Sequence, residues 1–282
     1  MERTSYFEGK WGELLANGKK PEALHRVRQM EFSAFSDLIM CADLDAAGRL
    51  VERIFEGEAI ILKNAIPIDK VEQLKRFVFA FEAANPESHN EIVSNCPDWH
   101  EINSTAGAAQ DGYTVFDHSY YFFRWNTGND EIFSTVAPYW ELAKIFNGYL
   151  PDSFETNLPA DGWVDRIQII NYPTGGGHIS AHTDPDICIR ALFGIYLSSP
   201  KTDYDSGGFY IMNESGVPEM LESRIDCGDI VCWYSNLPHG VEPVDPGETM
   251  DFSSHDGRWF IALNTVHSHM VKDRYRAMPH VG

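Results

Sequence analysis

At 282 residues, with 43% apolar and 13% aromatic side chains, the chain has ample material for a packed core and is short enough to be one large domain. Its 42 acidic against 22 basic side chains leave a formal charge of -20, a field that repels phosphate backbones and anionic membrane surfaces, so neither nucleic acid nor a membrane is expected as a partner. Five scattered cysteines (Cys41, Cys96, Cys188, Cys227, Cys232) without a CxxC pair exclude a disulfide framework and a structural zinc site; with no signal-peptide pattern and no bilayer-length apolar run, a reducing, cytoplasmic location is expected.

No repeat, low-complexity stretch or Pro/Gly/Ser linker divides the chain, so residues 1–282 read as a single domain: 1–160 mainly helical support and substrate region, 161–270 the core that carries the chemistry. In chain order, Ala59 to Lys63 is the one early run of strand character, expected to join the sheet built later. Asp69 to Ala84 places Val71, Leu74, Phe77, Val78 and Phe81 on one helical stripe, with Pro67 before it and Asp69 as an N-cap. Phe116 to Asn126 mixes aromatics with polar tips and reads either as a pocket wall or as a core element. A second helix is expected over Glu131 to Leu150.

From about Trp163 the texture changes to short β-rich runs separated by turn residues: 166–172, 191–197, 208–212, 229–234 and 258–265. Spacing of this kind predicts a mainly β architecture, a double-sheet jelly roll with flanking helices, not a parallel α/β sheet. The turns fall at Asp203–Gly208 and Cys227–Asp229.

Within this region lies His182-Thr183-Asp184, followed 55 residues after Asp184 by His239 and 19 residues later by Arg258. On an extended strand residues i and i+2 share a face, so His182 and Asp184 can reach one ion while Thr183 points away. Two imidazoles and a carboxylate suit a divalent metal of intermediate softness, and three ligands on one side leave the other side open for chemistry. Alone, an HxD tripeptide is weak, and His178 or Asp186 would replace a ligand if the register differed. His267-Ser268-His269 has ligand-pair spacing but no third partner, and Gly175–Gly177 is a turn, not a phosphate loop.

The surroundings add what the tripeptide lacks. The run from Ile167 to Asp184, with Asn171-Tyr172-Pro173, Gly175–Gly177 and His182-Thr183-Asp184, resembles the strand, tyrosine, glycine turn and HxD of Fe(II)/2-oxoglutarate-dependent dioxygenases. Ile195-Tyr196-Leu197, Ser206–Ile211, Cys227–Val231, His239–Val244 and Gly257–Ile261 follow that superfamily's succession of strands and turns in order. The likeness spans about Asp165 to Val266. Trp259-Phe260 after the arginine departs from the Arg-x-Ser of the plant-type branch, and the His239-to-Arg258 gap exceeds that of the prolyl-hydroxylase-like branch, so the resemblance is to the superfamily and leaves both branches open.

The resemblance implies a double-stranded β-helix (jelly-roll) core with a helical N-terminal region. It implies Fe(II) held by His182, Asp184 and His239, 2-oxoglutarate as cosubstrate and O2 as oxidant. Arg258 would take the distal carboxylate as a two-pronged partner that stays charged, Tyr196 would donate to the same carboxylate, and Tyr172 would line the pocket. Succinate and CO2 would leave as a C–H bond of a small soluble metabolite, such as an amino acid or biosynthetic intermediate, is hydroxylated, desaturated or cyclised. Asp184 stands where a halogenating member needs a small residue, which disfavours halogenation. Candidate substrate contacts are His118, Tyr120, Arg124 and Arg190. Two other readings stay open: a zinc hydrolase on the same triad, which has no standing need for Arg258, and a non-catalytic jelly-roll binding module. The sequence sets no oligomeric state.

Overall fold

Helices form wherever the sequence offers one apolar stripe and a definite stop. A computed structural model of the chain, describing residues 2–40, 43–86, 90–104 and 113–280, has α1 (Glu2–Asn17), α2 (Phe32–Met40), α3 (Leu44–Phe55), α4 (Ile68–Ala84) and α5 (Asp130–Phe146). In α3, Ala47, Leu50, Val51, Ile54 and Phe55 are buried at i, i+3, i+4, i+7 and i+8, and the Asp43 side chain caps the start by accepting from Ala46 N at 3.0 Å. Helix α4 matches the expected stripe but not the expected cap: Pro67 precedes it in extended geometry, and Asp69 falls inside the first turn, where its charge complements the helix dipole. Helix α5 stops short of Leu150 because Gly148 takes a left-handed φ of 89°. Gly148 N–H then donates to Ile145 O and Tyr149 N–H to Lys144 O, a closed C-terminal turn that satisfies the last carbonyls.

The strands among the described residues are β1 (Arg26–Glu31), β2 (Glu58–Lys63), β3 (Trp99–Asn103), β4 (Val115–Phe122), β5 (Trp163–Pro173), β6 (Gly177–Thr183) and β7 (Ala191–Tyr196). The remainder are β8 (Gly208–Met212), β9 (Pro218–Met220), β10 (Ile230–Tyr234), β11 (His239–Val244), β12 (Gly257–His267) and β13 (Met278–Pro279). One leaf runs β1-β2-β10-β7-β12-β5-β4, and at β4 the ladder turns over into a second leaf, β6-β11-β8-β9. This is the expected jelly roll, and Ala59 to Lys63 does join it, between β1 and β10. The first 160 residues contribute more β structure than their helical texture suggests, since β1, β3 and β4 arise there. The Phe116–Asn126 segment is largely strand β4, the hinge between the leaves.

Alternation sets what each leaf face carries. Odd-numbered residues of β5 and β12, such as Ile167, Ile169, Ile261 and Leu263, enter the main core with the helices, where Phe7, Trp11, Phe35, Phe146 and Phe193 pack edge to face. Even-numbered residues of the same strands face the space between the leaves. Strand β6 is paired along both edges: β11 on one side, and on the other β4 at Ile179 and His178, then β13 at Thr183 and His182. Cys96, Cys188, Cys227 and Cys232 are free thiols, and Cys41 lies outside the described residues. No helix of the described residues is long and apolar enough to cross a membrane.

Candidate active site

Strand pairing brings the triad together from residues far apart in sequence. His239, the first residue of β11, lies opposite His182 near the end of β6, and Asp184 N–H donates to Ser235 O at 3.1 Å just beyond the strand. One ligand atom from each of His182, Asp184 and His239 falls within 4.8 Å of the others, and the two imidazole centroids are 4.4 Å apart. Each ring is fixed by a carbonyl two residues earlier in its own chain: His182 Nδ1 to Ser180 O at 3.0 Å and His239 Nδ1 to Leu237 O at 2.8 Å. A carbonyl can only accept, so in the neutral ring Nδ1 carries the proton and Nε2 keeps the lone pair a metal needs.

The electrostatics agree with that donor set. Burial, reinforced by His239, depresses the His182 pKa to about 4 against the opposing pull of Asp184, so the ring is neutral at physiological pH. Burial pushes Asp184 the other way, but the adjoining imidazoles of His239 and His182 and the charge of Arg166 outweigh it, and its pKa falls. Two imidazoles and a carboxylate converging on one point fit a divalent cation. The neighbouring candidates are engaged elsewhere. His178 bonds Gly176 O and Thr114, Asp186 accepts from Lys20 and Tyr234, and His267 and His269 accept the Tyr275 and Ile92 amides.

Beside the triad a cavity of about 300 Å3 opens between the leaves, floored by the even-numbered residues of β5 and β12. Arg258 lies in its deep wall, only 1% exposed, with Nε donating to Glu222 Oε1 at 2.8 Å. The guanidinium carbon lies 4.8 Å from the Tyr196 ring centre and 5.4 Å from that of Tyr172. Burial acts to lower the Arg258 pKa, but Glu222 and the surrounding tyrosines reverse it, so the cation is secure. Two polar atoms here are buried without a well-formed partner: Arg258 Nη1 and the Tyr196 hydroxyl. Unfilled buried donors of this kind are rare in proteins and mark the place of a missing acceptor.

Glu222 has no counterpart among the sequence expectations. It sits in the short turn Glu222–Arg224 between β9 and β10, accepting from Arg258 Nε, the Tyr204 hydroxyl and Phe209 N. Gly208 makes room for it: at φ 111°, a Cβ there would lie 2.3 Å from Glu222 Cγ. No local pattern distinguishes this carboxylate from the many others of an acidic chain. Arg166 and Tyr121 also line the cavity without having been singled out by the sequence. Arg166 does carry a signal, because stepping back by twos from Tyr172 through Ile170 and Gln168 reaches it.

The four candidate substrate residues lie outside the cavity. His118 and Tyr120 are on the opposite face of β4 from Tyr121, bonded to His100 and to Glu82 on α4. Arg124 pairs with Glu155 at 3.0 Å, and Arg190 donates to Asn147 O at 3.0 Å. Each has a structural partner of its own.

No family model matches the sequence and no curated relative does. Solved structures are similar. A Pseudomonas putida prolyl-4-hydroxylase superposes with a TM-score of 0.50 at 17% identity, over 77% of this chain and 96% of that one. A full-length Neurospora crassa protein, solved in complex with alpha-KG and thymine, superposes with a TM-score of 0.53 at 14% identity, over 88% of each chain. At such identities the likeness establishes the fold: the chain is built on the jelly-roll framework that these proteins share.

Proposed function

We propose that the protein is a non-haem Fe(II)- and 2-oxoglutarate-dependent oxygenase acting on an unactivated C–H bond of a small soluble metabolite. The observation that carries this reading is a single cavity holding both a three-ligand metal face and, deeper in, an arginine and a tyrosine with unfilled donors. The fold shared with the two solved structures is consistent with it. We read the whole chain, 1–282, as one catalytic domain with its core at 161–270.

His182, Asp184 and His239 would hold Fe(II). Bound there with 2-oxoglutarate and O2, the iron supplies the oxidising power, and the cosubstrate leaves as succinate and CO2. The residues of this chain do the rest. Arg258 Nη1 and the Tyr196 hydroxyl receive the distal carboxylate of the cosubstrate, and Tyr172 walls the same pocket. Glu222 holds Nε, so that the fork of the guanidinium is aimed before any ligand arrives and little reorganisation accompanies binding. Ile170, Phe209, Val241 and Phe260 line the space with apolar surface and exclude water from the reacting bond. Asp184 occupies the carboxylate position, which favours oxygenation or oxidation over halide transfer. A zinc hydrolase or a non-catalytic module would leave the buried Arg258 unexplained.

Anaerobic addition of Fe(II) and 2-oxoglutarate to the protein is expected to produce a weak visible charge-transfer band, absent in Asp184→Ala. A colourless complex at saturating ligand, or an undiminished band in the variant, would reject the ligand assignment.

A further inference from the structure

A second cation faces the same cavity from its other end. The register of β5 with β12 places Tyr172 opposite Arg258, Ile170 opposite Phe260, Gln168 opposite Ala262 and Arg166 opposite Asn264, all on the cavity face. Arg166 and Tyr172 are six positions apart on β5, about 20 Å at the usual rise per residue. A five-carbon diacid separates its carboxyl carbons by only about 5 Å, and the two guanidinium groups sit apart, that of Arg258 against Tyr172 and Tyr196 and that of Arg166 against Tyr121, so a cosubstrate seated on Arg258 leaves Arg166 to another group. Arg258 is sealed in the deep end, whereas Arg166 is half-buried, and Arg166 and Asp184 are close enough to shift each other's ionisation. The triad therefore looks inward to Arg258 and outward to Arg166.

Arg166 is not assembled like the ion-paired arginines of this chain. Arg28, Arg124, Arg224 and Arg258 each meet a carboxylate; Arg166 Nη2 instead donates to the neutral amide oxygen of Gln168 at 2.7 Å. Its Nε is buried without a partner, and its guanidinium carbon lies 5.1 Å from the Tyr121 ring centre. Burial lowers its pKa, as expected for a cation drawn out of water without a counter-ion in contact. Arg190 likewise bonds a carbonyl and not a carboxylate, but it lies outside the cavity; what sets Arg166 apart, in a protein of formal charge -20, is that it faces the cavity with its hydrogen bond made to a neutral amide.

We propose that Arg166 is the specificity-determining residue for the substrate, which is a small carboxylic acid. Its carboxylate docks on Arg166 between the Gln168 and Asn264 amides, with the reacting C–H turned inward to the triad. One cation flanked by neutral amides suits a monoanion better than a phosphate dianion, which the surrounding negative field would further oppose. This inference rests on the oxygenase reading above, because that reading assigns Arg258 to the cosubstrate and leaves the outer end for the substrate.

The test uses the protein loaded with Zn(II) and 2-oxoglutarate, and ligand-observed NMR with two probe sets at millimolar concentration. One set is the L-amino acids and straight-chain monocarboxylic acids; the other is the matching primary carboxamides. At least one acid is expected to bind roughly tenfold tighter than its amide, consistent with a charge-assisted hydrogen bond. Arg166→Met should abolish that preference, Arg166→Lys should retain part of it, and Arg124→Met, which removes the same charge outside the cavity, should leave it intact. Equal binding of acids and amides, no binding of either set, or a preference that survives Arg166→Met overturns the proposal. The charge-transfer band separates the two readings. Its presence without a carboxylate preference defeats only the Arg166 assignment, and its absence defeats the oxygenase reading itself.

Discussion

On the helix-covered face of the β5–β12 leaf, Lys144 Nζ meets Asp165 Oδ2 at 2.6 Å, the Thr265 hydroxyl donates to Asp165 Oδ1, and the cation lies 4.9 Å from the Trp140 ring centre. On the cavity face Arg258 is just as deeply buried, yet one end of its guanidinium has no partner. Both cations have been taken out of water by the same leaf. The difference shows how to tell an architectural charge from a receptive one. Here the cation packed under the helices has its nitrogen on a carboxylate and belongs to the framework, whereas the one facing the cavity keeps a nitrogen unpaired and open to a ligand.

The comparison breaks most visibly at the filled pair. Lys144→Met is expected to destabilise the protein by about 3–5 kcal/mol, because Asp165 would be left charged and alone in the core, whereas Lys144→Met with Asp165→Val should recover most of that loss. Denaturant melts of the three proteins decide it, and equal stability of the single variant would show that Asp165 is neutral or solvated. At the open cation, Arg258→Met combined with Glu222→Gln, which avoids stranding Glu222, should raise the 2-oxoglutarate requirement by about 30–100-fold, the loss of a charge-assisted hydrogen bond. An unchanged titration would place the distal carboxylate elsewhere.

A third buried ionisable group sharpens the contrast. Among the described residues Asp117 on β4 has Asn103 and Ser119 as hydrogen-bond partners and no cation in contact, and burial raises its pKa to about 7 from an ordinary 3.8. The folded state therefore keeps a proton that the unfolded chain has released across that window. Stability from this group is full below about pH 4 and is lost as pH rises towards 7, by about 1.4 kcal/mol per pH unit in mid-window. Asp117→Asn should remove this contribution, so the variant gains on the wild type between pH 5 and pH 6. Parallel slopes for the two proteins would mean that Asp117 is ionised in the fold.

Much of the site is legible in sequence because its parts lie at strand ends. The i, i+2 spacing of His182 and Asp184 is a local pattern, whereas His239 after an apolar run and Arg258 at the head of a strand take their roles from the ordered resemblance around them. What the sequence hides depends on parity and on distance. Tyr120 and Tyr121 are adjacent and chemically alike, but β4 turns one towards α4 and the other into the cavity, and only the pairing with β5 says which. Glu222 lies 36 residues from Arg258 in a turn whose composition is ordinary. Helix α5 ends four residues before the sequence suggests because Gly148, between Phe146 and Tyr149, takes a left-handed geometry that stops it.

The double pairing of β6 has a mechanical meaning. A strand with one bare edge can fray, slip by a residue or recruit a foreign strand, and a single-residue slip would turn every side chain to the other face. With β11 on one side and β4 and then β13 on the other, the strand bearing His182 has no such freedom. The ligand geometry is thereby tied to the opening of the sheet itself, and amide exchange at Ala181 and His182 should report global unfolding rather than local breathing.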